Sequence, residues 1–212
     1  MLINLRNALM AGKRLPYDAE VEYLESTGTQ YIDLGTIIPP DADFEFTGSI
    51  VSDMTNGSIF GETNEFSWSY GNSGYSLVTT SGGKVYMRYG DNTSTAIGLT
   101  TIGLGNTFTA SLSGTSFQVN GQSVATVNRI SSFAATVSSM GVFRRNYTTG
   151  SLSTFSAIRI SNLKFGSLFD FIPVRVGTVG YLYDRVSGQL FGNAGTGAFS
   201  YGNDLKYPIP AE

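Results

Sequence analysis

The sequence predicts an all-β domain built as two antiparallel sheets packed face to face, preceded by a short N-terminal amphipathic helix. Three observations carry this reading. Turn signals of Gly, Asn, Asp, Ser and Pro recur at intervals of roughly 8–12 residues, the spacing expected of strands in a sandwich. Between them, short runs alternate apolar and polar side chains, the period of a strand with one buried face. Charged residues make up only 14% of the chain, against 26 Gly, 14 Phe and 12 Tyr, a composition for many short strands and tight turns rather than for disorder. A chain of 212 residues fits one large sandwich. Residues 1–18 read as a helical arm and linker, and residues 19–212 as the β domain.

In the arm, Leu2, Leu5 and Leu9 fall at helical spacing with Ile3 and Met10 beside them, while Asn4, Arg6 and Asn7 take the other side. Gly12 stands at a C-cap position and Pro16 blocks continuation, so the spacing predicts a helix over 3–11. A helix this short is unstable alone in water. Its apolar side chains, Leu2, Ile3, Leu5, Leu9 and Met10, are candidate docking residues, for the chain's own domain or for a neighbouring subunit. The polar side is not basic enough for a membrane-surface helix.

Val21 to Leu24 is extended, Ser26-Thr27-Gly28-Thr29 turns, and Gln30 to Leu34 resumes until Gly35. After Pro39-Pro40, Phe44 and Phe46 alternate with Asp41, Asp43 and Glu45. Burying those two rings contributes ~1.5–3 kcal/mol each, with the acids turned to solvent. Ile59–Glu62 and Phe66–Tyr70 read as a hairpin whose second strand puts Phe66, Trp68 and Tyr70 on one face. Tyr75–Thr79 and Lys84–Tyr89 flank the turn Ser81-Gly82-Gly83; Val85, Met87 and Tyr89 are expected in the core and Tyr86 and Arg88 exposed opposite them. Phe108–Ser113 and Ser116–Val119 lead to Asn120-Gly121, a strong hairpin signal because both residues tolerate positive φ, and Val124–Val127 returns. Met140–Arg145 and Phe155–Phe165 follow, with Arg144, Arg145, Asn146 and Tyr147 clustered at a strand end. Val179–Tyr183, a Ser187-Gly188 turn, Gln189–Phe191 and a glycine-rich loop up to Phe199 close the chain. That loop is not a phosphate cradle, since no Gly-Lys-Ser/Thr follows it.

Two stretches also carry a family resemblance. Glu22 to Gly35, Glu-Tyr-Leu-Glu-Ser-Thr-Gly-Thr-Gln-Tyr-Ile-Asp-Leu-Gly, resembles the opening of the concanavalin A-like, laminin-G-like jelly-roll modules of bacteriophage structural proteins and gut-bacterial surface proteins. Asp170 to Gly202, with Gly-Tyr-Leu-Tyr-Asp, a Ser-Gly turn and Gly-Thr-Gly-Ala-Phe in that order, resembles their closing segment. The resemblance implies a two-sheet antiparallel jelly-roll sandwich and a virion structural or decoration protein whose jelly roll faces outward and adheres to glycans. It is also compatible with a carbohydrate-binding module of a bacterial surface protein.

Composition narrows the chemistry. The net charge of −3 and the lack of a basic stripe argue against nucleic acid as a partner. No apolar run is long enough for a membrane-spanning helix, and no secretory-type leader is recognisable. A virion location fits such a chain, with the bacterial surface or the extracellular space as the alternative. The chain has no His and no Cys, which removes the usual general base, the Ser-His and Cys-His nucleophiles and the usual zinc ligands. No cofactor, metal or catalytic residue is expected. A jelly-roll glycosidase is the third reading, and it needs two placed carboxylates. Asp41, Asp43 and Glu45 depart from the Glu-x-Asp-x-Glu arrangement of such enzymes, and Glu20, Glu22 and Glu25 form only a second loose approximation. Candidate sugar contacts are Trp68, Tyr70, Tyr86, Arg88, Arg144, Asn146 and Tyr147. The expected partners are other virion proteins of capsid or tail, or a second copy through the arm, and surface glycans.

Overall fold

The computed structural model describes residues 15–52, 57–65, 72–91, 93, 95–148, 154–155 and 157–207. The helix expected over 3–11, with Leu2, Ile3, Leu5, Leu9 and Met10, and the strand expected over Phe66–Tyr70, with Trp68 and Tyr70, lie outside these residues. The described chain is all-β, without a helix. It forms β1 (Ala19–Val21), β2 (Leu24–Thr27), β3 (Ile32–Asp33), β4 (Phe44–Ile50), β5 (Gly57–Thr63), β6 (Gly74–Thr80) and β7 (Lys84–Gly90). β8 (Ile97–Thr101), β9 (Thr107–Ser113), β10 (Ser116–Val119), β11 (Gln122–Thr126), β12 (Gly141–Val142), β13 (Arg144–Tyr147) and β14 (Thr154–Phe155) follow. The last are β15 (Ala157–Phe165), β16 (Phe169–Val176), β17 (Val179–Asp184), β18 (Gln189–Phe191), β19 (Ser200–Tyr201) and β20 (Asp204–Lys206).

The first sheet runs β11-β10-β9-β4-β15-β16-β1-β20, with β2 and β19 joined through β15 and β17 and β18 through β16. The second runs β14-β13-β5-β6-β7-β8, with β12 and β3 attached at β5. The pairings are antiparallel except that of β13 with β5. One apolar core fills the space between the sheets. Phe44, Phe46, Phe108, Leu112, Ile158, Leu163 and Phe165 come from the first, and Phe60, Leu77, Val85 and Met87 from the second. The Phe60 ring bridges them, edge-on to Phe44 at 5.1 Å and to Phe165 at 5.0 Å.

The alternation readings for β4 and β7 hold. Phe44 and Phe46 are buried with Glu45 exposed between them, and Val85, Met87 and Tyr89 join the core. Asn120 and Gly121 turn β10 into β11 at φ 50° and 74°. The hairpin partner expected for β5, Phe66–Tyr70, lies outside the described residues; β5 pairs with β6. One expectation changes. Met140–Arg145 is not one strand. It breaks at Phe143, a buried aromatic at φ 66°, a conformation that costs a bulky residue about 1–3 kcal/mol. The break switches the chain from antiparallel pairing, Gly141 opposite Gly61, to parallel pairing, Arg145 beside Gly61.

The two stretches that carry the resemblance are neighbours in space. β2 pairs with β19, Leu24 opposite Tyr201. Ala194 N donates to the Tyr31 carbonyl at 2.8 Å, and Tyr31 N donates to Asn193 Oδ1 at 3.1 Å. A Cβ at Gly195 would stand 2.2 Å from the Thr29 carbonyl oxygen, so the closing loop reaches the opening turn only with glycine there. Gln30 ties that turn from inside: it is buried, and its Oε1 accepts from Thr27 N at 2.9 Å and Ser26 Oγ at 3.2 Å.

Candidate binding face on the second sheet

Strand pairing lines up side chains across β13, β5, β6 and β7. Arg145 stands beside Gly61, Gly61 opposite Ser76, and Ser76 opposite Arg88, so the four form one row on the side away from the core. The period of two adds Tyr147 to this face from β13, and Lys84 and Tyr86 from β7. Gly61 leaves room for its neighbour: a Cβ there would lie 2.5 Å from Ser76 Oγ and 2.9 Å from Arg145 Cγ. The Arg145 side chain therefore lies across Gly61 toward Ser76.

Each arginine of the row works with a tyrosine. Arg145 Nη2 donates to the Tyr147 hydroxyl at 2.5 Å, with the guanidinium 4.7 Å from the ring centre. Arg88 Nη2 donates to the Tyr86 hydroxyl at 3.4 Å, its guanidinium 5.2 Å from that ring, and its Nη1 donates to the Thr93 carbonyl. Burial lowers the Arg145 guanidinium to about 10; Tyr147 opposes that shift, and the Arg88 charge adds to it. β5, β6, β7 and β13 contain one acid between them, Glu62, and it lies on the other side. Among the described strand positions the face thus carries Arg145, Arg88, Lys84, Tyr86 and Tyr147 and no acid. The Ser76 hydroxyl within it is buried and has no hydrogen-bond partner.

The exposure expected of Tyr86 and Arg88 is corrected: they are 4% and 9% exposed. Alternation separates the two sides of a strand but does not say that the second side meets water. Here Arg88 meets the Thr93 carbonyl and the Tyr86 hydroxyl. Lys84 and Tyr147 remain half-buried at the rim. The structure also divides the candidate contacts on β13. Arg144 and Asn146 point opposite to Arg145 and Tyr147. The Arg144 guanidinium stacks on the Tyr31 ring at 3.4 Å, and its Nε donates to Asn146 Oδ1. Asn146 Nδ2 donates to Ser139 Oγ at 3.3 Å, which donates to Asp33 Oδ1 at 2.7 Å. Tyr86, Arg88 and Tyr147 are therefore brought together, and Arg144 and Asn146 belong to a separate polar chain. Arg145, Ser76, Lys84 and Tyr31 were not among the expected contacts. Strand period within Arg144–Tyr147 was the available signal for Arg145.

The acidic residues are dispersed. Asp41 is exposed, Asp43 is paired with Arg129 at 3.0 Å, and Glu45 with Lys164 at 3.5 Å. Among the described residues no group of three or more acids could hold a metal ion.

On the core side, a second row has a holding role. Glu62 stands opposite Tyr75, and Tyr75 opposite Tyr89. All three grip the segment that crosses the top of the core: Glu62 Oε2 accepts from Ile38 N at 3.0 Å, Tyr75 donates to the Ala42 carbonyl at 2.9 Å, and Tyr89 to the Pro40 carbonyl at 2.6 Å. Glu62 is fully buried and its Oε1 has no hydrogen-bond partner. Burial pushes its carboxyl up to about 9, only partly offset by the Ile38 amide.

Compared with models of protein families, with curated proteins and with solved structures, the chain matches none.

Proposed function

We propose that the chain is a non-enzymatic jelly-roll module of the concanavalin A-like type, displayed on a virion, that binds acidic glycans at the outer face of β5, β6, β7 and β13. One observation carries the ligand class: Arg145, Gly61, Ser76 and Arg88 form a row flanked by Lys84, Tyr86 and Tyr147, with no acid among the strand positions of that face. The guanidiniums of Arg145 and Arg88, 1% and 9% exposed, hold Tyr147 and Tyr86 and add positive charge beneath the rim. The ligand's anionic group enters at the rim, where Lys84 and Tyr147 are half-exposed, and its ring lies along Tyr147. The virion setting rests on the resemblance of Glu22–Gly35 and Asp170–Gly202 to phage modules. The non-enzymatic reading is supported by the absence of His and Cys and by the ion pairs of Asp43 and Glu45.

A glycan array tests it. Binding is expected to uronate-, sialate- or sulfate-bearing glycans, weaker at high salt, and not to their neutral counterparts. Lys84→Ala removes the accessible cation of the rim and should weaken binding by roughly 10-fold, the loss expected for a charged hydrogen bond. Arg145 is 1% exposed and holds Tyr147 from beneath, so Arg145→Ala should weaken binding by less, through that ring. Preference for neutral glycans, or affinity untouched by both variants, defeats the ligand assignment. Turnover of any glycan defeats the non-enzymatic one, and absence of the protein from purified particles defeats the virion setting.

A further inference from the structure

β16, β17 and β18 form a corner of the first sheet whose inward side chains, Phe171, Leu182 and Phe191, meet the main core. Their outward side chains are also apolar: Ile172, Val174 and Val176 on β16, Val179, Tyr181 and Tyr183 on β17, and Leu190 on β18. The register sets Ile172 opposite Tyr183, Val174 opposite Tyr181, and Tyr183 opposite Leu190, so these residues form one continuous patch. An antiparallel sheet with one face to water alternates to polar residues on that face. This corner does so only at its end, where Asp170 pairs with Arg185. The patch forms a small core of its own under Tyr17, which is 2% exposed and sits edge-on to Tyr183 at 5.0 Å, with Leu15 packed against the same cluster. Tyr17 and Leu15 do not cover all of it. Ile172, Val176, Tyr181 and Leu190 stay partly buried, and Val179 is 46% exposed.

We infer that residues 1–14 fold back on their own domain and dock the side carrying Leu2, Leu5 and Leu9 on the outward face of β16, β17 and β18. The occupant is this chain's own arm for three reasons. Leu15 and Tyr17, the residues that follow it, already sit on the patch. That tether holds the arm near the patch at an effective concentration of about millimolar, which a free second copy does not reach. The dimensions also agree. A helix over 3–11 is ~14 Å long, and three strands at ~4.8 Å spacing present a face of about that width. The inference does not depend on the glycan reading. It makes the arm part of the domain's own stability and not a peg for a neighbouring subunit.

The chain has no Cys, so a single introduced thiol reports cleanly. Asn7→Cys, on the arm's polar side, is labelled with a nitroxide in the full chain, and paramagnetic broadening is read by NMR. Signals of Ile172, Val176, Tyr181 and Leu190 should lose intensity, and those of Leu99, on the distant β8, should not. Broadening at other sites only, or none, overturns the inference. So does broadening of the same sites in a mixture where label and isotope are on different chains, which would show a second copy as the occupant. Independently, Leu5→Lys with Leu9→Lys, and deletion of residues 1–14, should each lower the melting temperature by several degrees and raise binding of a hydrophobic dye. An unchanged melting temperature in both overturns it.

Discussion

The Glu62→Gln protein is expected to melt well above the wild type at pH 8 and level with it near pH 4. Among the described residues no cation offsets the burial of Glu62. One oxygen accepts from the Ile38 amide, the other has no hydrogen-bond partner, and burial pushes the carboxyl from its ordinary 4.5 up to about 9. Between those values the folded protein keeps the proton and the unfolded chain has lost it. The unfolded state then binds fewer protons, so stability falls as pH rises, by about 1.4 kcal/mol per pH unit. Below 4.5 both states are protonated and nothing is lost; above 9 both are ionised and the loss is complete. Glutamine keeps an acceptor for Ile38 and cannot ionise, so its stability should not follow this slope. At ~2–4 °C per kcal/mol for a domain of this size, the gap between the two proteins widens by roughly 3–5 °C per pH unit across the window. Calorimetry of both proteins from pH 4 to 9 measures it, and parallel profiles would refute the account.

Glu62 also shows why part of the site was hidden in the sequence. Phe60 and Glu62 are two positions apart on one strand and share the core side. The period assigns that side correctly, but a glutamate at a strand end reads as solvated until the Ile38 segment is laid over it. At Phe44, Glu45 and Phe46, period and chemistry agree, so both the strand and its buried face were legible. At Tyr86 and Arg88 the face was legible and the burial was not, because alternation does not report what packs on the second side of a strand. At Phe143 the sequence carries no turn residue between Gly141 and Arg145. The chain breaks there because of pairing on β5, which leaves no local signature. The opening and closing stretches meet in the fold: a Cβ at Gly195 would stand 2.2 Å from the Thr29 carbonyl oxygen, so that contact leaves room for glycine alone.

Asp184→Ala is expected to cost about 3 kcal/mol. The residue ends the Gly-Tyr-Leu-Tyr-Asp run and is fully buried. Its Oδ1 accepts from Asp170 N at 2.8 Å and Val186 N at 3.2 Å, and its Oδ2 from Ser187 N at 2.9 Å. Its backbone carbonyl accepts from Gly188 N at 2.8 Å, which closes the turn at φ 74°. One carboxylate thus fixes the turn between β17 and β18 and the start of β16. Hydrogen bonds to a charged group contribute about 1.5–3 kcal/mol each, and of these three only the one to Asp170 N is fully buried and cannot be replaced by water. Alanine should therefore lower the melting temperature by roughly 6–12 °C. Asparagine keeps Oδ1 but replaces Oδ2 with an amide that points its hydrogens at Ser187 N. Asp184→Asn should therefore retain the contact to Asp170 and lose the one to Ser187, with an intermediate melting temperature and faster hydrogen exchange at Ser187 than at Asp170. Equal exchange at both amides in the Asn variant, or an Ala variant as stable as the wild type, would show that the turn is held by its backbone alone.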